Sequence, residues 1–150
     1  MVQTLIDEQT DDKSAGIPVS LINDIISEIC RSIAGVYSIY IFGSFHQAST
    51  NRDSDIDIAV RAQEIISPSV LWNTASTLST VCHREADLVD LHSASTVMKM
   101  QIIYHGRKIF CANEIENETY EDYVFSSYAR LNEERAGILE DIRARGSVYG

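Results

Sequence analysis

Cationic residues are scarce in this chain. Twelve Lys and Arg stand against twenty-two Asp and Glu, a formal net charge of −10. A protein that grips nucleic acid needs a cationic surface to displace counterions from phosphates, and the sequence has no dense basic cluster. This argues against a template-dependent polymerase or a non-specific RNA-tailing enzyme, and no direct nucleic-acid binding is expected. The acidic balance suits a protein partner, particularly a basic one. Long apolar runs are missing too. No stretch approaches the ~20 residues of a membrane-spanning helix, and the N-terminus lacks the cationic-then-apolar layout of a secretory signal. No membrane role is expected, and the default compartment is the cytoplasm. Cysteine is sparse: Cys30, Cys82 and Cys111 are odd in number, widely spaced and set among apolar neighbours. They read as buried free thiols in a reducing compartment, not as a disulfide framework or a metal site. No internal repeat or low-complexity tract appears.

What remains fits one domain of 150 residues. Residues 1–16 are polar and acidic with little periodicity and read as a loose tail. Pro18 suits a helix start. Leu21, Ile22, Ile25, Ile26, Ile29 and Ile33 then recur at helical spacing, with Gly35 as the stop. Tyr37 to Phe42 and Asp55 to Val60 read as strands. Ser67 and Pro68 are the N-cap and first residue of a helix running through Leu71, Ala75, Leu78 and Val81. Asp87 to Leu91 reads as a third strand. Ser93 or Ser95 caps a helix through Val97, Met98, Ile102 and Ile103 that ends at Gly106, and Lys108 to Cys111 reads as a short edge strand. A last helix is expected from Thr119, where Thr119 and Asp122 approximate a capping box. Its interrupted apolar stripe includes Tyr120, Tyr123, Val124, Tyr128, Leu131, Ile138, Leu139 and Ile142, with Gly137 weakening its middle. Tyrosine favours interfaces, so the helix either packs on the core or docks a partner. The organisation expected is a tail at 1–16, a core at 17–112 and a helical, partner-docking extension at 113–150.

The most informative run is Gly43-Ser44, ten residues, then Asp55-Ile56-Asp57. Residues two apart on a strand point to the same side, so Asp55 and Asp57 project together. Two adjacent carboxylates repel each other unless a cation sits between them. Magnesium is the natural choice, because it binds through one or two carboxylates plus substrate phosphates. A glycine after a strand lets backbone N–H groups approach an anion closely, and the Ser44 hydroxyl is a small adaptable donor. A phosphate cradle beside a metal-binding carboxylate pair points to nucleotide phosphoryl chemistry. The bland alternative is a surface hairpin with a solvated acidic edge.

Transfer also needs a group that takes the proton of the incoming hydroxyl, and a third carboxylate on a neighbouring strand would serve. Asp87 and Asp90 are both candidates, but their odd spacing puts them on opposite faces. Only one can join Asp55 and Asp57, and the strand register decides which.

Gly43-Ser44 with Asp55 and Asp57, followed by the stretch from Ala86 to Ser95, resembles the polymerase-β-type nucleotidyltransferase superfamily. The short chain is most similar to its minimal members, the antitoxins of HEPN/MNT toxin–antitoxin systems. The resemblance spans roughly residues 20 to 110. It implies an α+β polymerase-β-like nucleotidyltransferase fold, a small mixed β-sheet with helices packed on it and a C-terminal helix. Asp87 aligns with the family's Val-Asp-Leu-Val pattern and is favoured as the third carboxylate. The implied site is then Gly43, Ser44, Asp55 and Asp57 on the nucleotide, with Asp55, Asp57 and Asp87 holding two magnesium ions. The implied reaction is AMP transfer from ATP to a tyrosine hydroxyl of a HEPN-family RNase toxin, held in a hetero-oligomer. One departure stands out. Relatives commonly read Gly-Ser-x-Ala-Arg-Gly, whereas Gln47 and Ala48 replace the last two residues here, and Gln cannot pair with a phosphate as a charge. Arg52 is either a substitute or a solvated loop cation. His46 either donates to phosphate or is structural. His83, His92 and His105 have no convincing zinc-ligand partner, and Ser95 and Lys99 are further candidates to face the nucleotide. Two alternatives stay open: neutralisation by occlusion with weak catalysis, and a small-molecule adenylyltransferase.

Overall fold

The computed structural model describes residues 16–43 and 55–145. The expectations for the N-terminal tail and for Ser44, His46, Gln47, Ala48 and Arg52 lie outside the described residues.

Eight elements follow in order: α1 (Val19–Ser32), β1 (Val36–Phe42), β2 (Ile56–Ala62), α2 (Pro68–Cys82), β3 (Ala86–Asp90), α3 (Thr96–His105), β4 (Arg107–Cys111) and α4 (Glu114–Arg145). A short 3-10 turn at Leu91–Ser93 links β3 to α3. The strands form one mixed sheet in the order β3-β2-β1-β4. β1 runs antiparallel to β2 and β4, while β2 and β3 run parallel. Among the described residues no helix is long and apolar enough to cross a membrane.

Alternation along the strands builds two unequal cores. Ile39, Ile41, Ile56, Ile58 and Val60 turn to one face and meet Ile22, Ile25, Ile26 and Ile29 of α1 and Leu78 of α2. Each such side chain contributes about 1.5–3 kcal/mol when fully buried. Tyr40 and Ala59 turn to the other face and meet Leu91 and Ile102 in a smaller cluster. The helix boundaries follow local chemistry. Ser67 caps α2 with Pro68 as its first residue, and Ser95 caps α3 by accepting from the Met98 N–H at 3.1 Å. His83 closes α2 in the left-handed region.

The last helix starts earlier than Thr119. Asn113 opens it instead, its Oδ1 accepting the Glu116 N–H at 3.0 Å, with Glu114 and Glu116 in the first turn. Thr119 lies inside the helix and its hydroxyl donates to the Ile115 carbonyl. Asn113 and Glu116 stand three apart, a capping-box spacing that was there to be read. Cys82 and Cys111 are buried free thiols, but Cys30 is only half-buried.

A polar network joins α4 to the second face of the sheet. The Arg61 guanidinium lies between two tyrosine rings, 4.7 Å from the Tyr37 centroid and 4.1 Å from that of Tyr120. It forms an ion pair with Glu116 and donates to Asn117 Oδ1 at 3.0 Å. Asn117 is wholly buried and its amide donates to the Tyr40 hydroxyl and to Glu121. Tyr40 in turn donates to Glu121 at 2.7 Å, and Lys108 reaches the same carboxylate at 3.2 Å. Burial, with Glu121 accepting from it, pushes the Tyr40 hydroxyl well above the ordinary tyrosine range, and burial pushes Tyr120 up to about 12. Buried polar groups that lose a partner cost about 1–3 kcal/mol each. Asn117→Ala is therefore expected to lower the free energy of unfolding by about 2–3 kcal/mol in urea titrations, through the orphaned Arg61 and Tyr40 groups rather than through lost apolar area. Asp90 carries a similar load, accepting the Ile66 N–H at 2.9 Å and the His92 N–H at 3.0 Å. Asp90→Ala is expected to cost about 2–3 kcal/mol in the same measurement.

Candidate active site

Register places the acidic residues. β2 and β3 lie parallel with Asp57 opposite Asp87 and Val60 opposite Asp90. Asp57 also pairs with Phe42, the residue before Gly43. The end of β1 at Phe42 and Gly43, Asp57 and Asp87 therefore follow one another across three adjacent strands. Asp55 stands two residues ahead of Asp57, exposed at the mouth of β2. Asp57 is half-buried and Asp87 exposed.

Gly43 is held at φ +77°, and a Cβ there would overlap Asp57 Oδ2 and sit 3.3 Å from its Cγ. The positive φ disfavours a side chain there, and a Cβ would push the Asp57 carboxylate aside. The strand end and the aspartate thus approach more closely than any other residue type allows.

The carboxylates strain one another. Partial burial raises the Asp57 carboxyl above the ordinary aspartate range, and the charges of Asp87 and Asp55 add to the shift. Groups arranged for stability alone would be spaced apart or paired with a cation. Among the described residues no three His, Cys, Asp or Glu side chains form a ready-made metal cage. Hard carboxylate oxygens beside the Gly43 end of β1 suit an ion that takes its remaining ligands from phosphate and water.

Asp90 does not join them. Both its oxygens are spent on the Ile66 and His92 backbone, and it is 3% exposed. It pins the β2–α2 connection to the end of β3. The three described histidines are engaged elsewhere in the fold. His92 Nε2 donates to the Ala62 carbonyl at 2.6 Å, His83 closes α2, and His105 stacks edge-on against Tyr104. The Ser95 hydroxyl is engaged as the α3 cap.

One surface feature has no forerunner among the sequence expectations. A cleft of about 370 Å³ opens between α2 and β3, and Asp87 forms part of its wall. Leu71, Trp72 and Ala75 line it from α2, and Glu85 and Leu88 line it from the β3 side. Trp72, the chain's single tryptophan, is 75% exposed there. The signal was present: Trp72 stands on the otherwise polar side of α2, away from buried Thr74, Leu78 and Cys82.

Comparison with known proteins places this geometry. A family model described as polymerase beta, nucleotidyltransferase matches residues 24–115. The protein adenylyltransferase MntA of Shewanella oneidensis is 35% identical over 122 residues, which cover 81% of this chain and 87% of that protein. A crystal structure of a toxin–antitoxin with AMP-PNP superposes with a TM-score of 0.72 at 34% identity, covering 81% of this chain and 98% of the other. A structure of a tri-AMPylated Shewanella oneidensis HEPN toxin in complex with MNT antitoxin gives 0.69 at 32% identity, covering 83% and 97%. The family match takes in the whole four-stranded sheet and Asp55, Asp57, Asp87 and Asp90, and the chain belongs to the polymerase-β nucleotidyltransferase family.

Proposed function

We propose that this chain is a protein adenylyltransferase that moves AMP from ATP to a tyrosine hydroxyl of a HEPN-type RNase toxin in the cytoplasm, silencing it. The observation that carries the reading is the row formed by Gly43, Asp57 and Asp87 across β1, β2 and β3. The kinship to a protein adenylyltransferase, and to an antitoxin found with an AMPylated toxin, supports the choice of donor and acceptor.

Each residue has a part. Gly43 and Ser44 take the β- and γ-phosphates. Asp55, Asp57 and Asp87 would hold magnesium. The bound ions supply charge neutralisation at the triphosphate and at the phosphoryl oxygens in the transition state. Asp87, at the outer end of the row, accepts the phenolic proton. The freed oxygen forms a bond to the α-phosphorus as the bond from phosphorus to the β-phosphate oxygen breaks. Pyrophosphate departs with that electron pair. The residues at 113–150 form the extension that docks the partner. α4 alone is about 48 Å long at 1.5 Å per residue, and Ile138 and Leu139 near its end are exposed.

Incubation with Mg-ATP and HEPN-type toxins encoded beside the gene tests the reading, with intact mass showing AMP added to the toxin. Asp55→Asn and Asp57→Asn are expected to abolish transfer, and Asp87→Asn to slow it by about 10²–10⁴-fold, the usual contribution of a general base. Full neutralisation by an Asp55→Ala, Asp57→Ala double variant would instead favour occlusion.

The strain on Asp57 gives an independent check. Its folded-state value lies above its unfolded one, so the folded chain binds that proton more tightly. Its contribution to stability therefore grows as pH falls from neutral through the raised value, and levels off below the ordinary aspartate range. At neutral pH the ionised group weakens the metal-free fold. Asp57→Asn is expected to raise the Tm of the metal-free chain at pH 7 while destroying transfer. Magnesium is expected to raise the Tm of the unaltered chain more than that of the variant.

A further inference from the structure

We propose that the cleft between α2 and β3 anchors the protein partner at a place separate from the site of transfer, by taking an apolar or aromatic side chain flanked by lysine or arginine. The choice of partner rests on the adenylyltransferase reading, while the chemistry of the anchor comes from the cleft itself. Alternation along the strands keeps the two places apart. Asp57 and Asp87 turn to the sheet face that carries Tyr40, Ala59 and Val89, whereas Ala86 and Leu88 turn to the opposite face, with α1 and α2. The cleft lies on that second face. Among the described residues β3 is the outermost strand on its side of the sheet. A partner set against its outer side borders both faces, the acidic row on one and the cleft on the other.

The helix α2 carries two stripes. Thr74, Leu78 and Cys82 are buried. Leu71, Trp72, Ala75, Ser76 and Ser79 recur three and four residues apart along another side and line the cleft. Ala75, Ser76 and Ser79 are small and leave room beside the Trp72 ring, and Leu88 adds an apolar wall from β3. With the core stripe of α2 already satisfied, a tryptophan 75% exposed contributes little to the fold. Tryptophan is among the residues that most often anchor an interface, through a large ring of low conformational cost. The charged residues lining the cleft are Glu85 and Asp87, both acidic, and the chain carries a net charge of −10. Both draw in a cationic segment, and both oppose a polyphosphate or a second copy of this chain.

The test separates anchoring from chemistry. Trp72→Ala removes the ring and Glu85→Lys reverses a charge at the rim, both at exposed positions. In titration calorimetry with a purified HEPN toxin and no nucleotide, each variant is expected to raise the Kd by roughly tenfold or more, the scale of losing an interface anchor. Trp72→Phe is expected to restore most of the affinity. With Mg-ATP and saturating toxin, kcat and the KM for ATP are expected to stay unchanged in both variants, because the acidic row lies on the other face. Added salt is expected to weaken the unaltered complex more than the Glu85→Lys complex. An unchanged Kd in both variants, while the unaltered chain binds toxin, overturns the inference. So does a fall in kcat at saturating toxin with the Kd unmoved, which makes the cleft part of the transfer site. So does a dimer in sedimentation that Trp72→Ala dissociates, which makes the occupant a second copy. Toxin that is bound but gains no AMP overturns the adenylyltransferase reading alone, and the Kd values still decide the inference. Toxin that is neither bound nor modified by the unaltered chain overturns both.

Discussion

Everything in this molecule is arranged around an electrostatic conflict: Asp57 and Asp87 are forced side by side because β2 and β3 run parallel in register. The hydrophobic faces of both strands fix that register. Ile56, Ile58 and Val60 must face α1 and α2, and a slip of one residue would bury aspartate among isoleucines. Core packing therefore supplies the free energy that holds like charges together. Burial raises the proton affinity of Asp57, and the charges of Asp87 and Asp55 raise it further.

Such a conflict is useful only if the frame does not relax. The isoleucine-rich face holds the strands from one side. On the other, the buried assembly of Arg61, Asn117, Tyr40 and Glu121 ties α4 to β1 and β2. Arg61 has its planar charge stacked between two tyrosines as well as hydrogen-bonded, a geometry that lysine cannot reproduce. Asp90 fastens the far end of β3 to the β2–α2 connection. The sheet is thus held by apolar contact on one face and directional polar contact on the other, and the acidic row sits at the edge where both give way to solvent.

Much of this was legible in the sequence. An apolar, β-prone run showed β1, period-two alternation showed β2, and isoleucine spacing showed α1. The pairing of Gly43-Ser44 with Asp55 and Asp57 pointed to the chemistry. The choice between Asp87 and Asp90 was not legible from strand parity. Parity says that the two face opposite ways but not which way is inward. The answer lies in two backbone N–H groups, of Ile66 and His92, that only the folded chain brings to Asp90. The Arg61 network was invisible for the same reason, since the hydrogen bonds that join Arg61 and Tyr40 to α4 span 55 to 81 residues of chain. The start of α4 was missed because Thr119 and Asp122 offer the same capping pattern as Asn113 and Glu116, and the folded chain uses Asn113, whose Oδ1 accepts the Glu116 N–H. The cleft was missed because apolar spacing along α2 draws the eye to the buried stripe, while Trp72 stands off it.

Ser79 gives the sheet a boundary. Its hydroxyl donates to the Ala75 carbonyl within α2 and accepts the Ala86 N–H, a backbone group that β3 turns away from β2. A helix side chain thus occupies a place that a fifth strand would take. Exposed edges invite accretion of further chains into ever wider sheets, and here the first rung of that ladder is already filled. Whatever lies against β3 must be distinguished by its side chains, since the generic handhold of main-chain pairing is blocked at Ala86.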